Sequence, residues 1–434
     1  MKIVKFGLVA ASYALLAAWV NISVLADQNA SAATTDDKKI PEAGPPPAPA
    51  PTPVLLKTAL GEGGIAEPLK EARINIYGYA EGGYFHDFSA PGSPGPTYIG
   101  YNNFKNKVIL DKISLNVERT VDPTQRAFDM GFHVEGIYGA DAALIHSNGV
   151  MDAQTGRNQW DLLQGYVDVT LPGLPLRLRV GKWIELAGFE HFSANIYGAF
   201  GDPARALYSY SYQFLYAEPG TQTGALATFV LNRMWTVDAG VTRGWNQSTR
   251  DGNHSLDFLG RVTFTPNDKT SIIFVMTEGP EFPTGFGKNL PPGDDSDWWT
   301  SLDLVLTQKV TDRLKLGLGC DYINARNIPG LPSGAKQWGG VAGYASYAVD
   351  PHVTLNARLE WYDDAANGFS TGANVRANCY EATVGTAIRP FPRNHVLSHV
   401  LFRPEVRYDH ADRAIFDGGR RDQLTFSVDA LFIF

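Results

Sequence analysis

The chain has 434 residues, of which 44% are apolar and only 19% charged, with 23 phenylalanines, 19 tyrosines, 9 tryptophans and 44 glycines. So many aromatics exclude disorder over most of the chain, and a formal net charge of −8 argues against a nucleic-acid partner. Beyond residue 20 no apolar run reaches the roughly 18 residues a membrane-crossing helix needs, which excludes a bundle of such helices.

The N-terminus reads as an export address. Lys2 and Lys5 precede an apolar stretch from Phe6 to Val20, and Val24-Leu25-Ala26 offers small or medium residues at a cleavage site. Residues 1–26 are therefore expected to be a signal peptide; a retained anchor is the alternative, disfavoured by the short stretch. Residues 27–71 follow as a linker. Pro41, Pro45, Pro46, Pro47, Pro49, Pro51 and Pro53 make it a disordered, extended polyproline arm. Residues 64–72 offer one or two helical turns. The arm reads as a tether or, less simply, as a cell-wall or partner-binding segment.

From residue 72 to 434 the hydrophobic period is two. Ile109, Ile113, Leu115 and Val117 alternate with Lys112, Ser114, Asn116 and Glu118. Val353, Leu355, Ala357, Leu359 and Trp361 alternate with Thr354, Asn356, Arg358 and Glu360, and the chain closes on Leu424, Phe426, Val428, Ala430 and Phe432 against Gln423, Thr425, Ser427 and Asp429. About sixteen such segments recur, joined alternately by short and long links. Tight turns at one end and long loops at the other are the mark of an all-β, transmembrane, antiparallel up-and-down barrel. Trp235, Phe264 and Phe434 fall at the short-turn rim and Trp298, Tyr322, Trp361 and Tyr408 at the other, as two interfacial girdles require. Closure follows from physics, since an open sheet in lipid would leave costly unpaired N–H and C=O groups at its edges.

By parity the inner wall carries charges of both signs. Arg403, Glu405, Arg407 and Asp409 alternate on one face, with Arg358 and Glu381 on the same wall. Two readings stand: a pore-lining ladder that orients solutes, or ion pairs that brace neighbouring strands. The link at about 184–220 is too long for a simple connection. It is rich in aromatics, including Phe189, Phe192, Tyr208, Tyr210, Tyr212 and Phe214, and carries Glu185, Glu190, Asp202 and Glu218. So apolar a loop is expected to fold into the barrel and narrow it, the alternative being an external lid or subunit contact. Its acids would then face the basic wall of Arg358, Arg403 and Arg407 across a narrow aqueous gap.

Enzyme signatures are lacking. There is no His/Cys cluster with metal-ligand spacing, no phosphate loop and no nucleophile elbow. No catalytic residue, metal or cofactor is expected. Cys320 and Cys379 lie on strands of opposite parity and are not expected to bridge.

Several stretches also resemble a known family. They are RVGKW at Arg179–Trp183, GFE at Gly188–Glu190, YSYSY at Tyr208–Tyr212, AEPGTQTG at Ala217–Gly224, GVTRGWNQSTRDGN at Gly240–Asn253, GPE at Gly279–Glu281 and RPEVRYD at Arg403–Asp409. Together they resemble the outer-membrane β-barrel porins of the OmpL-like type. The resemblance implies a channel in the bacterial outer membrane, with the lipid bilayer and small hydrophilic solutes or ions as its partners and no assigned substrate. Analogy with other porins suggests a homotrimer. The rival readings are a secreted β-rich carbohydrate-binding protein and a barrel with a structural or cell-wall-tethering role.

Overall fold

The structure, a computed structural model, describes residues 63–90, 105–192, 206–281, 298–328, 334–394 and 397–434. The export segment, the proline-rich arm and Asp202 lie outside these residues. After a short helix, Ala66–Glu71, the chain is almost wholly strand. In order the strands are β1 (Asn75–Asp87), β2 (Val108–Arg119), β3 (Asp129–Gly139), β4 (Gln159–Thr170), β5 (Leu176–Ile184), β6 (Thr221–Val230), β7 (Trp235–Thr242), β8 (Asp257–Asn267) and β9 (Thr270–Pro280). Then come β10 (Trp298–Lys309), β11 (Leu314–Arg326), β12 (Ala335–Ala348), β13 (Val353–Asp364), β14 (Ala377–Ile388), β15 (Val400–Phe402), β16 (Glu405–Ala411) and β17 (Asp422–Ile433).

Each strand pairs antiparallel with its sequence neighbours, and β1 pairs with β17, so the sheet closes on itself. One stave is broken in two. Pro404 has no N–H to give the ladder, so β15 and β16 are two short pieces of one stave, both lying between β14 and β17. The ring therefore has sixteen staves, and β13 is the eighth from β5 in either direction.

Alternation decides the two faces. Leu115, Val134, Val180, Leu359 and Val384 point outward and are exposed, while Glu135, Arg358, Glu381, Arg407 and Asp409 point inward and are buried. An apolar outer face and a polar inner one suit a wall bathed in lipid outside. No helix among the described residues is long and apolar enough to cross a membrane. The girdle aromatics sit on the outer face by parity, and three of them have a bonded polar tip. Trp298 donates to Glu278, Trp361 to Asn378 and Tyr408 to Asp422, and Trp235 stacks on Phe264 with ring centroids 4.2 Å apart.

Register shifts interrupt the alternation between β1 and β2, between β3 and β4 at Glu135/Gly136 and between β8 and β9 at Phe264/Asn267. The β1–β2 register shifts between Glu81 and Gly82, where Asp111 is the extra residue. Above it Ile109, expected on the outer face with Ile113, is buried instead. Cys320 and Cys379 are both free thiols.

Candidate functional site

The link between β5 and β6 begins at Glu185, one residue later than the spacing indicated, and its described parts are 185–192 and 206–220. Residues 207–213 run along the inner wall of β13, β14 and β16, on the far side of the ring from where the loop departs. There the alternating charges of the wall find their use. Each buried backbone group of the loop needs a partner, and the wall supplies both kinds. Arginines take carbonyls: Arg403 donates to the carbonyl of Leu207 at 3.2 Å, Arg358 to that of Ser209 at 2.8 Å and Arg407 to that of Tyr210 at 2.6 Å. Carboxylates take amides. Glu405 accepts from the N–H groups of Tyr208 and Ser209 at 2.8 and 3.0 Å, and Glu360 from those of Tyr212 and Gln213 at 2.7 and 2.8 Å. Ser211 caps the short helix Tyr212–Tyr216 that follows, accepting from the N–H of Phe214.

The arginines are paired as well. Arg358 meets Glu381 at 2.9 Å and Glu190 at 2.7 Å, and Glu190 also accepts from the N–H and hydroxyl of Ser211. Arg403 meets Glu81 at 2.7 Å and, more closely, Asp429. Arg407 meets Asp409 at 2.8 Å and Glu381 at 3.9 Å. Asp409 in turn accepts from the hydroxyl of Tyr212. These three arginines are among the largest fully buried side chains of the protein. The acids of the loop were expected to face them across water; Glu190 and Arg358 instead touch. A loop so apolar displaces the water, and charges left in a dry space must pair.

Glu185 and Glu218 do not join this network. Glu185 accepts from the N–H of Phe192 at 3.2 Å, and burial pushes its carboxyl up to about 8. Glu218 is pushed well above the carboxylate range, first by burial and then by the neighbouring carboxylates of Asp321 and Asp303. Spacing did not show that Glu185 and Glu218 would be buried apart from the arginines, nor that Glu81, Glu360 and Asp429 would hold or brace the loop.

The apolar side chains of the loop pack on the wall in several directions. Phe192 lies 3.9 Å beneath the ammonium of Lys112 on β2. Phe189 stacks on Tyr344 of β12 with centroids 3.9 Å apart. Leu186 and Ala187 pack with Trp183, Leu226, Leu259 and Val275, and Phe192, Tyr210 and Phe214 with Ile137 and Leu163. The half nearer the short turns is more open. There Arg179 holds Asp168 through two hydrogen bonds of 2.8 and 2.9 Å, Arg261 pairs with Asp238 at 2.8 Å, and Arg177 and Arg261 stay partly exposed.

At the long-loop end the GWNQ stretch ties three loops together. The side chain of Asn246 accepts from the N–H groups of Gly220 and Thr221, its carbonyl accepts from Asn148, and Gln247 accepts from the side chain of Asn148. Among the described residues no group of three or more His, Cys, Asp or Glu is arranged to hold a metal.

The comparisons with known proteins agree with this geometry. The model of the family described as "putative beta-barrel porin-2, OmpL-like" matches residues 73–434. No curated protein matches the chain. Among solved structures the fold is similar to the outer membrane channel DcaP of Acinetobacter baumannii, with 12% identity over 83% of this chain and 97% of that one and a TM-score of 0.53. It is similar to an anion-selective porin from Comamonas acidovorans, with 10% identity over 83% and 99% and a TM-score of 0.53. It is also similar to OprB of Pseudomonas putida, with 12% identity over 86% and 97% and a TM-score of 0.51.

Proposed function

The chain belongs to the β-barrel porin-2, OmpL-like family of outer-membrane porins, and from that premise we propose that residues 185–220 form the constriction that sets which solutes diffuse through it. A porin passes small hydrophilic solutes passively, so its selectivity lies in the width and charge of the narrowest section. The observation that carries the reading is the Leu207–Gln213 backbone, bound by Arg358, Arg403, Arg407, Glu360 and Glu405 on the wall opposite β5. In this reading the five side chains hold the loop in place, and the remaining opening is lined by what they leave accessible, Arg177 and Arg261 among them. The reading assigns the barrel no catalytic role.

Planar-bilayer recording of the refolded protein tests it. Discrete ohmic events with a conductance that changes when Glu405 or Glu360 is replaced support the reading; events indifferent to both replacements refute the assigned constriction.

Two further parts of the proposal rest on other grounds. Residues 1–26 act as an export signal, supported by Lys2, Lys5 and the apolar stretch Phe6–Val20, which N-terminal sequencing of protein taken from the outer membrane checks. Assembly as a homotrimer is supported by analogy with other porins alone, and native mass spectrometry in detergent tests it.

A further inference from the structure

The break at Pro404 leaves a mark on the lipid-facing side of the wall. Thr386 and Pro404 stand opposite each other, bracketed by the pairs Gly385–Glu405 and Ile388–Phe402. The N–H of Thr386 donates to the carbonyl of Pro404 at 3.0 Å. In an antiparallel ladder such a pair exchanges two hydrogen bonds. Proline has no N–H, so the carbonyl of Thr386 lacks the donor that the ladder would give it. A carbonyl left without a donor in the apolar band of a membrane costs free energy.

A groove opens at the same place. It holds about 580 Å³ and is lined by Tyr347, Leu355, Ala357, Val384, Val406 and Phe426, with Thr386 and Pro404 in its wall. Asn356 and Glu405 also border it, but their side chains turn inward to the carbonyl of Ala206 and the N–H of Tyr208. Register shows why the wall is hollow there. Leu316, Ala345, Ala357, Val384, Val406 and Phe426 are opposite one another in turn from β11 to β17 on the outer face, and the two alanines leave a low floor. At roughly 30 Å³ for a group the size of water, the space takes about twenty such groups, the bulk of one acyl chain. Its height in the membrane follows from β14, which has 12 residues. At about 3.3 Å per residue and a tilt of about 45° the strand rises roughly 28 Å, a little more than an apolar band of about 25 Å. Thr386 lies two residues before the last of β14, Ile388, so its carbonyl is at the edge of the band on the short-turn side, where headgroups begin.

We propose that this groove seats one phospholipid of the inner leaflet whose headgroup carries a primary ammonium. An acyl chain lies on Ala345 and Ala357 between Leu355 and Phe426, and the ammonium donates to the carbonyl of Thr386 in place of the missing ladder N–H. A primary ammonium offers three N–H donors, and hydrogen bonds from a charged donor are stronger than neutral ones. A quaternary ammonium carries the same charge and no N–H, so the headgroup alone separates two lipids with identical chains. The site rests on the placement of the barrel in the outer membrane and not on conduction.

The test is native mass spectrometry of the folded full-length barrel, stripped of lipid in detergent and offered equal amounts of phosphatidylethanolamine and phosphatidylcholine with the same acyl chains. The wild type should retain the ethanolamine lipid about five- to tenfold over the choline lipid. Pro404→Ala gives the Thr386 carbonyl its ladder donor and should bring that ratio to about one while both lipids still bind. Ala357→Trp fills the floor of the groove and should lower retention of both. Val180→Trp, on the outer face of β5, should change neither. Heat-modifiable gel mobility checks that each variant is folded; should Pro404→Ala not fold, the wild-type ratio and Ala357→Trp still decide. Equal retention of the two lipids by the wild type, as when water serves the carbonyl, overturns the proposal. So does a ratio that survives Pro404→Ala, or retention indifferent to Ala357→Trp. An oligomer lost in Ala357→Trp with no lipid preference in the wild type would give the groove to a second copy of the chain. Bilayer conductance is read separately, so its absence would overturn the porin proposal and leave the lipid site standing.

Discussion

Glu190 and Arg358 meet at 2.7 Å although β5, which sends out the loop that carries the first, and β13, which carries the second, stand on opposite sides of a sixteen-stave ring. A contact of that reach requires the chain after β5 to cross the whole lumen. It also explains a pattern that looked ambiguous in sequence. Opposite charges alternating along one inner face serve as donors and acceptors for a second length of backbone, and brace the wall as they do so.

Breaking this contact should be costly. Arg358→Gln leaves Glu190 buried without its cation and Glu381 with only the more distant Arg407, a change of about 3–5 kcal/mol. The heat-modifiable transition of the folded barrel should fall markedly, and single-channel conductance should rise as the loop loosens. Glu190→Gln keeps the acceptor for Ser211 and should be milder. The same holds for Arg403 and Arg407, each sealed from water and bound to loop carbonyl groups, so glutamine there is read first in stability. An Arg358→Gln barrel that melts like the wild type would remove the anchoring role.

Close approach sets a second expectation. A Cβ on Gly317 would stand 2.1 Å from the ring of Phe189, and one on Gly83 would stand 2.0 Å from the hydroxyl of Tyr208. Neither neighbour has slack, since Phe189 is stacked on Tyr344 and Tyr208 is bonded to Asp111. Gly317→Ala and Gly83→Ala should each cost about 1–3 kcal/mol through overpacking, measured by denaturant midpoint, and should alter conductance without changing strand content by circular dichroism.

The fold was legible because a lipid-facing wall must alternate and must close, and both demands are written residue by residue. The sixteen staves, the girdle at Trp235 and Tyr408 and the inward parity of Arg358, Glu381 and Arg407 all follow from period two. The phase change at Asp111 was not legible, because a single extra residue in a bulge has no compositional mark. The break at Pro404 could have been read from proline alone. The partners of the loop were beyond reach for a different reason: Glu405 and Tyr208 are 197 positions apart along the chain, and nothing local links a wall carboxylate to a loop amide.

Acidity should tighten the loop. Glu185 is held at about 8 in the folded protein against about 4.3 when unfolded. The folded state therefore keeps a proton the unfolded state has lost between those values, so stability from this group is full below about pH 4.3 and is lost as pH rises through about 8. Glu218 shifts in the same direction. Conductance and current noise should be greater at pH 9 than at pH 6, and Glu185→Gln should flatten that dependence. A dependence of the opposite sign would exclude Glu185 as its source.

At the outer rim, Asn246 adopts a left-handed backbone, with φ 56°, while its side chain accepts two backbone hydrogen bonds. Asn246→Gly keeps the backbone conformation accessible and removes both acceptors. The expected cost is about 1–3 kcal/mol, with faster proteolytic cleavage of the surrounding loops in the folded barrel. Unchanged cleavage would mean that the three loops do not depend on this residue.

The central claim, that the loop crossing from β5 to β13 limits the channel, is tested most directly by its removal. Residues 186–217 would be replaced by a short glycine-serine connection between Glu185 and Glu218, and single-channel conductance compared with the wild type in the same salt. The account predicts a conductance several-fold higher, with a weaker dependence on solute size in liposome swelling. A truncated barrel that is folded by heat-modifiable mobility and conducts like the wild type would contradict it.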